Sequence, residues 1–189
     1  MQRLFHLIRH PDTGIDSNNQ RPSDVPAGYE ATRLTALAEK LRPFQVDTFI
    51  TSDFERARQA AEYVTQALQF EGELYVNDLL REVLIWPDLK NLGYRDAQSE
   101  RERVKGIYVN LQQEVMNKLR QVAAHYKGES VCLFTHGNFI RCVASSLQDG
   151  AIEEMYHIPI DHLSVTTLRY DDEPSVFTLQ MLNDTLLQE

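Results

Sequence analysis

Only two cysteines occur in the 189 residues, and no apolar run approaches the roughly 20 residues needed to span a bilayer. A disulfide scaffold and a transmembrane helix are therefore not expected. Cys132 and Cys142 lack C-x-x-C spacing and fall on a predicted strand and a predicted helix, so they are expected to be buried thiols. The N-terminal segment has neither the apolar core nor the small-residue cleavage site of a signal peptide, which makes the cytoplasm the expected location. There is also no basic run: 19 Lys and Arg stand against 28 Asp and Glu, a net charge of -9. With no cationic stretch to release counterions, neither nucleic acid nor an anionic membrane is an expected partner. Internal repeats and low-complexity tracts are absent as well.

What is present is a 42% hydrophobic chain of a size suited to one well-packed domain, expected to span residues 1–189. Strand-like runs at 3–9, 47–51, 73–76, 130–135, 164–170 and 176–181 are interleaved with helical patterns. Leu34, Leu37, Ala38 and Leu41 share one helix face, as do Phe54, Ala57, Ala61, Val64 and Leu68. A long amphipathic helix runs through Val104, Tyr108, Leu111, Val115, Leu119, Val122 and Tyr126, and another from Asn138 to about Leu147. The alternation predicts an α/β fold: a three-layer α/β/α sandwich with a mainly parallel sheet and helices on both faces. Segments 11–29 and 83–103 are irregular and charged. Ligands of open α/β sheets bind beyond the carboxyl ends of strands, so these stretches are candidate substrate loops, with 83–103 read as an insertion.

The first strand ends in Leu7-Ile8-Arg9-His10, and Pro11 stops it by offering no N–H to the ladder. Arg9 and His10 would face opposite sides of an unbroken strand, so a common target requires the strand to end there. An acidic chain that places Arg beside His at a strand end favours a small anionic ligand. After the second strand, Ser52-Asp53-Phe54-Glu55 fits a capping box, in which Ser52 accepts from the backbone of Glu55 and the carboxylate reaches back. Arg56 and Arg58 then fall near a helix N-terminus, where the dipole disfavours cations by about 0.3–1 kcal/mol. Arg56 is read as an anion ligand and Arg58 as an ion-pair or solvated residue. Thr135-His136-Gly137 opens the helix after the fourth strand, at the sheet edge shared with His10 and Arg56.

With these pieces in order, the chain resembles the histidine phosphatase superfamily, also called phosphoglycerate mutase-like. The resemblance rests on Leu7-Ile8-Arg9-His10, Leu34-Thr35, Ser52 through Ala61, Leu80-Arg81-Glu82, His136-Gly137-Asn138 with Arg141, and the closing Leu182-Asn183-Asp184, which together cover nearly the whole chain. It implies a phosphatase in which His10 attacks the phosphoryl group to form a phosphohistidine that water then hydrolyses. The attacking nitrogen must be unprotonated, and the other needs an acceptor such as a backbone carbonyl. Arg9, Arg56 and His136 would hold the nonbridging oxygens, and Glu82 would be the general acid and then the base. Such fixed donors imply chemistry with no metal or other cofactor, on a small phosphorylated molecule or a phosphoprotein.

Four departures from the family pattern stand out. Pro11 replaces a common Gly, Asp16 stands where an Asn often touches phosphate, Ala38 replaces a Gly, and Val83 to Pro87 lack the usual Gly-rich run. At 4 Å and an effective dielectric of about 20, each phosphate charge would cost roughly 4 kcal/mol against an ionised Asp16, which is therefore expected to point elsewhere or be protonated. Asn18 or Asn19 could take its place. Asn18, Arg21, Trp86 and Asn138 form the candidate substrate-binding set; Arg21, Lys90, Arg95, Arg101 and Arg103 could alternatively recognise a second anionic group or simply face solvent. His6 is read as a core or supporting residue, and His125, His157 and His162 as surface or locally bonded. The rival functions are a phosphoglycerate mutase-type phosphotransferase, a catalytically impaired family member that binds a phospho-ligand or protein, and a metal hydrolase using His10, Asp12 and His136, whose spacing is unpersuasive.

Overall fold

The computed structural model describes residues 1–14, 31–83, 97–148 and 152–186. Six strands, β1 (Gln2–Arg9), β2 (Thr48–Thr51), β3 (Leu74–Val76), β4 (Ser130–Thr135), β5 (Val165–Asp171) and β6 (Val176–Asp184), form one sheet in the order β3-β2-β4-β1-β5-β6. The β3, β2, β4 and β1 pairings are parallel, and β5 and β6 close the far edge in antiparallel fashion. The mainly parallel α/β architecture read from the sequence is thus the one observed.

Strand alternation divides the apolar side chains between two faces. Phe5, Leu7, Ile50, Val131 and Leu133 enter one core with α3 (Ala97–His125) and α4 (Gly137–Leu147). Ile8, Phe49, Cys132 and Phe134 enter the other with α1 (Ala31–Leu41) and α2 (Glu55–Ala67). The predicted helical spacings account for this: Leu34, Leu37, Ala38 and Leu41 are all buried on α1. On α2 the buried stripe is Ala57, Ala60, Ala61 and Val64, small residues that let the helix lie close to the sheet. Both cysteines are free and buried, as expected.

Three boundaries differ from the sequence reading. Helix α3 starts at Ala97, inside the stretch expected to be irregular over 83–103. The seven residues 97–103 contain no Gly or Pro, and Ala, Gln, Glu and Arg are good helix formers. Charge without apolar periodicity disguised them as loop. Strand β6 continues to Asp184 past a register shift near Thr167. Phe54, placed by spacing on the sheet-facing side of a helix, is instead the residue just before α2.

His6 is a core residue, stacked on Phe44 with ring centroids 4.3 Å apart. Ser130 Oγ donates to the Phe44 carbonyl at 2.9 Å and so accepts from His6 Nε2–H at 3.3 Å, which leaves Nδ1 to accept from Thr167 Oγ1 at 3.1 Å. Burial pushes its pKa down to about 4. The unfolded chain takes up this proton near pH 6.5 and the folded one only near 4, so stability is lost as pH falls through that window. The contribution is on the order of 3 kcal/mol. Urea unfolding of wild type and His6→Gln at pH 7 and 4.5 should show a smaller acid-induced loss in the variant.

Candidate active site

The registers Arg9↔Thr135 and Thr51↔Phe134 bring the carboxyl ends of β1, β4 and β2 level with one another. The ladder continues one residue further: His10 N–H donates to the Thr135 carbonyl at 3.0 Å and Ser52 N–H to the Phe134 carbonyl at 2.9 Å. His10, Ser52 and His136 therefore leave the sheet side by side. The rings of His10 and His136 lie 5.2 Å apart, centroid to centroid.

His10 Nδ1 is 2.7 Å from the Pro11 carbonyl. A carbonyl only accepts, so Nδ1 carries the proton and Nε2 keeps its lone pair. Burial first, then the proximity of His136 and the positive charges of Arg56 and Arg9, holds the pKa of His10 well below the ordinary histidine value, against the opposing Pro11 bond. The ring is neutral at pH 7. Replacing the usual Gly by Pro11 leaves this bond intact, since it uses the carbonyl and not the missing N–H.

Arg9 is fixed by Nη1 donating to the Ile160 carbonyl at 2.6 Å, while its Nε–H is buried with no partner among the described residues. Arg56 is 2% exposed, with its guanidinium carbon 5.0 Å from the centre of the Phe54 ring. That ring also meets His136 edge-on at 5.1 Å. Arg58 pairs with Glu55 at 2.7 Å and Glu62 at 3.2 Å, the ion-pair role expected of it. The predicted capping box does not form. Helix α2 begins at Glu55 with no side-chain cap, the Glu55 carboxylate turns to Arg58 and Gln59, and Ser52 Oγ lies 2.9 Å from His136 Nε2.

Glu82 reaches the site on a segment tied at several points. Asn77 caps the short turn Asp78–Leu80, Thr135 Oγ1 donates to the Leu80 carbonyl at 2.8 Å, and Arg81 bridges both carboxylate oxygens of Asp53. Glu82 Oε1 accepts from the backbone N–H of Val83 at 3.1 Å and of Asn138 at 3.2 Å, the latter in the first turn of α4. Burial nevertheless raises its pKa, opposed chiefly by Arg56. Asn138, read as a substrate contact, uses its side chain within the protein: Nδ2 donates to the Val83 carbonyl and Oδ1 accepts from Arg141. Its place directly after His136-Gly137 suits it to steady the Glu82 segment.

Gly137 has a packing reason to lack a side chain. An added Cβ would stand 3.0 Å from Arg9 Nε and 3.3 Å from Arg141 Nη1. Guanidinium ends can shift, so Gly137→Ala should displace Arg9 without unfolding the protein. The expected result is a roughly 10-fold loss of kcat/KM with a nearly unchanged thermal midpoint, measured by phosphate release and calorimetry.

Phe54 and His162 were not legible as site residues. The His162 ring lies 5.6 Å from that of His10, with Nε2 buried and without a partner among the described residues. Burial and the charge of Arg9 lower its pKa to about 4. Its loop is anchored by Arg9 and Arg141, which donate to the carbonyls of Ile160 and Ile158, and by the Asp161 backbone N–H and carboxylate, which both bond the Asn183 amide. No local spacing announces such contacts. Asp16, Asn18, Asn19, Arg21, Trp86, Lys90 and Arg95 lie outside the described residues, as do the side chains of Arg101 and Arg103.

Ligand-capable atoms of His10, Glu82 and His136 lie within 4.8 Å of one another, a cluster that does not include Asp12 of the metal reading. Such a group could contact a cation. The fields of Arg9 and Arg56 on His10, His136 and Glu82 make the same space electropositive and better matched to an anion.

The family model of the histidine phosphatase superfamily (branch 1) matches residues 5–185. A protein of Bacillus subtilis described as the uncharacterized phosphatase PhoE is 24% identical over 159 residues, covering 76% of this chain and 77% of the relative. Among solved structures, a phosphoglycerate mutase from Bacillus anthracis superposes with a TM-score of 0.72 at 16% identity, over 97% of this chain and 93% of that one. A mycobacterial glucosyl-3-phosphoglycerate phosphatase gives 0.67 at 17% identity, over 98% and 100%. At these identities the structural matches establish the shared fold.

Proposed function

The chain belongs to the histidine phosphatase superfamily (branch 1), and we propose that it is a metal-independent phosphomonoesterase working through a phosphohistidine on His10. The observation that carries this reading is the His10–Pro11 hydrogen bond, which frees a neutral Nε2 lone pair beside Arg9, Arg56 and His136.

In the first step Nε2 bonds to phosphorus as the ester P–O bond breaks in line, and the donors around it hold the nonbridging oxygens. Glu82, whose raised pKa suits an acid, gives its proton to the leaving alkoxide. In the second step the Glu82 carboxylate takes a proton from water, the new hydroxide oxygen bonds to phosphorus, and the P–N bond breaks to restore neutral His10 and release phosphate. The substrate is a small phosphorylated molecule or a phosphoprotein, and the work is done in the cytoplasm.

The test is incubation of chelator-treated protein with a panel of phosphomonoesters. Phosphate release without added metal is expected. Turnover that appears only when metal is restored, binding without turnover, or transfer of phosphate between substrate positions without release would each replace this reading.

A further inference from the structure

We infer that the Ser52 hydroxyl donates to His136 Nε2 and so places the His136 proton on Nδ1, where it serves as a fixed hydrogen-bond donor to the phosphoryl group. The tautomer assignment stands on the hydrogen bonds of a buried, neutral ring; the donor role rests on the phosphatase reading.

Ser52 and His136 are both fully buried. Burial and the charges of Arg56 and Arg9 keep His136 neutral at pH 7, so its ring has one N–H to place. Nε2 lies 2.9 Å from Ser52 Oγ, while Nδ1 is buried with no partner among the described residues. Ser52 Oγ already accepts from the Phe54 backbone N–H at 3.3 Å.

Two proton placements are open. If Nε2 carried the proton, Ser52 Oγ would receive two donors, its own hydroxyl hydrogen would be left out of both contacts, and the Nδ1 lone pair would be the group available to an incoming anion. With the proton on Nδ1, the hydroxyl accepts from Phe54 and donates to Nε2, and Nδ1–H remains for a phosphoryl oxygen. Only the second arrangement uses every donor at an anion site. Local geometry holds it in place, because Ser52 N–H is tied to the Phe134 carbonyl and the Ser52 carbonyl accepts from Thr51 Oγ1. Ser52 is thus a positioning residue that acts through His136.

The measurement is a long-range proton–nitrogen spectrum of histidine-labelled protein at pH 7, with inorganic phosphate then added. His136 should show protonated Nδ1 and acceptor-type Nε2, and phosphate should move the Nδ1–H signal. Ser52→Ala should change the Nε2 signature and lower kcat by roughly 10- to 100-fold, whereas Ser52→Thr, which keeps the hydroxyl, retains both. A native spectrum with Nε2 protonated overturns the assignment without recourse to any variant, as does an unaltered signature in Ser52→Ala. An Nδ1–H signal indifferent to phosphate overturns the donor role. The spectrum requires no turnover: an Nδ1–H tautomer in a protein that hydrolyses no ester would sink the phosphatase reading and leave the tautomer assignment standing, and His10-dependent hydrolysis with Nε2–H would sink this inference alone.

Discussion

His10→Ala is expected to lower kcat by on the order of 10^4-fold or more, because the described residues offer no other group able to take over the attack. His136 is the nearest candidate, but its Nε2 is engaged by Ser52. The His162 ring sits 5.6 Å away on a separate loop, displaced from the position from which His10 attacks in line. Steady-state phosphate release from a good ester, with circular dichroism to confirm the native fold, checks this. Turnover within about tenfold of wild type would remove His10 from the role of nucleophile.

Glu82→Gln is expected to be the next largest change, and its size should depend on the leaving group. For alkyl phosphates, whose alkoxide needs a proton, a loss of roughly 10^2- to 10^4-fold is expected. For p-nitrophenyl phosphate the first step needs no acid, while the second still lacks its base. The variant should then release a burst of about one equivalent of nitrophenol followed by a slow steady rate.

The pH profile carries the same logic. Neutral His10 is required, and its pKa is lowered, so the acid limb should fall below 6.5. Protonated Glu82 is required for alkyl esters, and its pKa is raised, so activity should decline as pH rises through a value above 4.5. The nitrophenol burst, which needs no acid, should lack that alkaline decline in wild type and in Glu82→Gln alike. Equal losses for both ester types would contradict an acid role.

The sheet and its strand ends were legible because β1, β2 and β4 carry short apolar runs and each is followed by a polar residue that breaks the run. Arg9 and His10 could be found this way, since Pro11 marks where the ladder stops. Glu82 was found only through its place in the Leu80-Arg81-Glu82 pattern, because the groups that fix it, Asp53, Thr135 and Asn138, arrive from three other parts of the chain. Ser52 was misread for a related reason. Its Ser-x-x-Glu spacing has a sound local interpretation, but a partner 84 residues away claims the hydroxyl. Phe54 illustrates the cost of extending a helical period by one turn: the spacing continues past the first helical residue, although the backbone there is extended. His162 had no signal at all. Its proximity to His10 is produced by the return of the chain from α4 to β5 and by carbonyl contacts to two arginines.

A covalent phosphoryl group on His10 can be caught by rapid-quench trapping. Chelator-treated protein is mixed with a radiolabelled phosphomonoester, quenched in alkali within the first turnover, digested and mapped. The expected result is an alkali-stable, acid-labile label on His10, bound through Nε2, that forms and decays at least as fast as phosphate is released. Phosphate accumulating with no labelled intermediate, or a label on another residue, would contradict it.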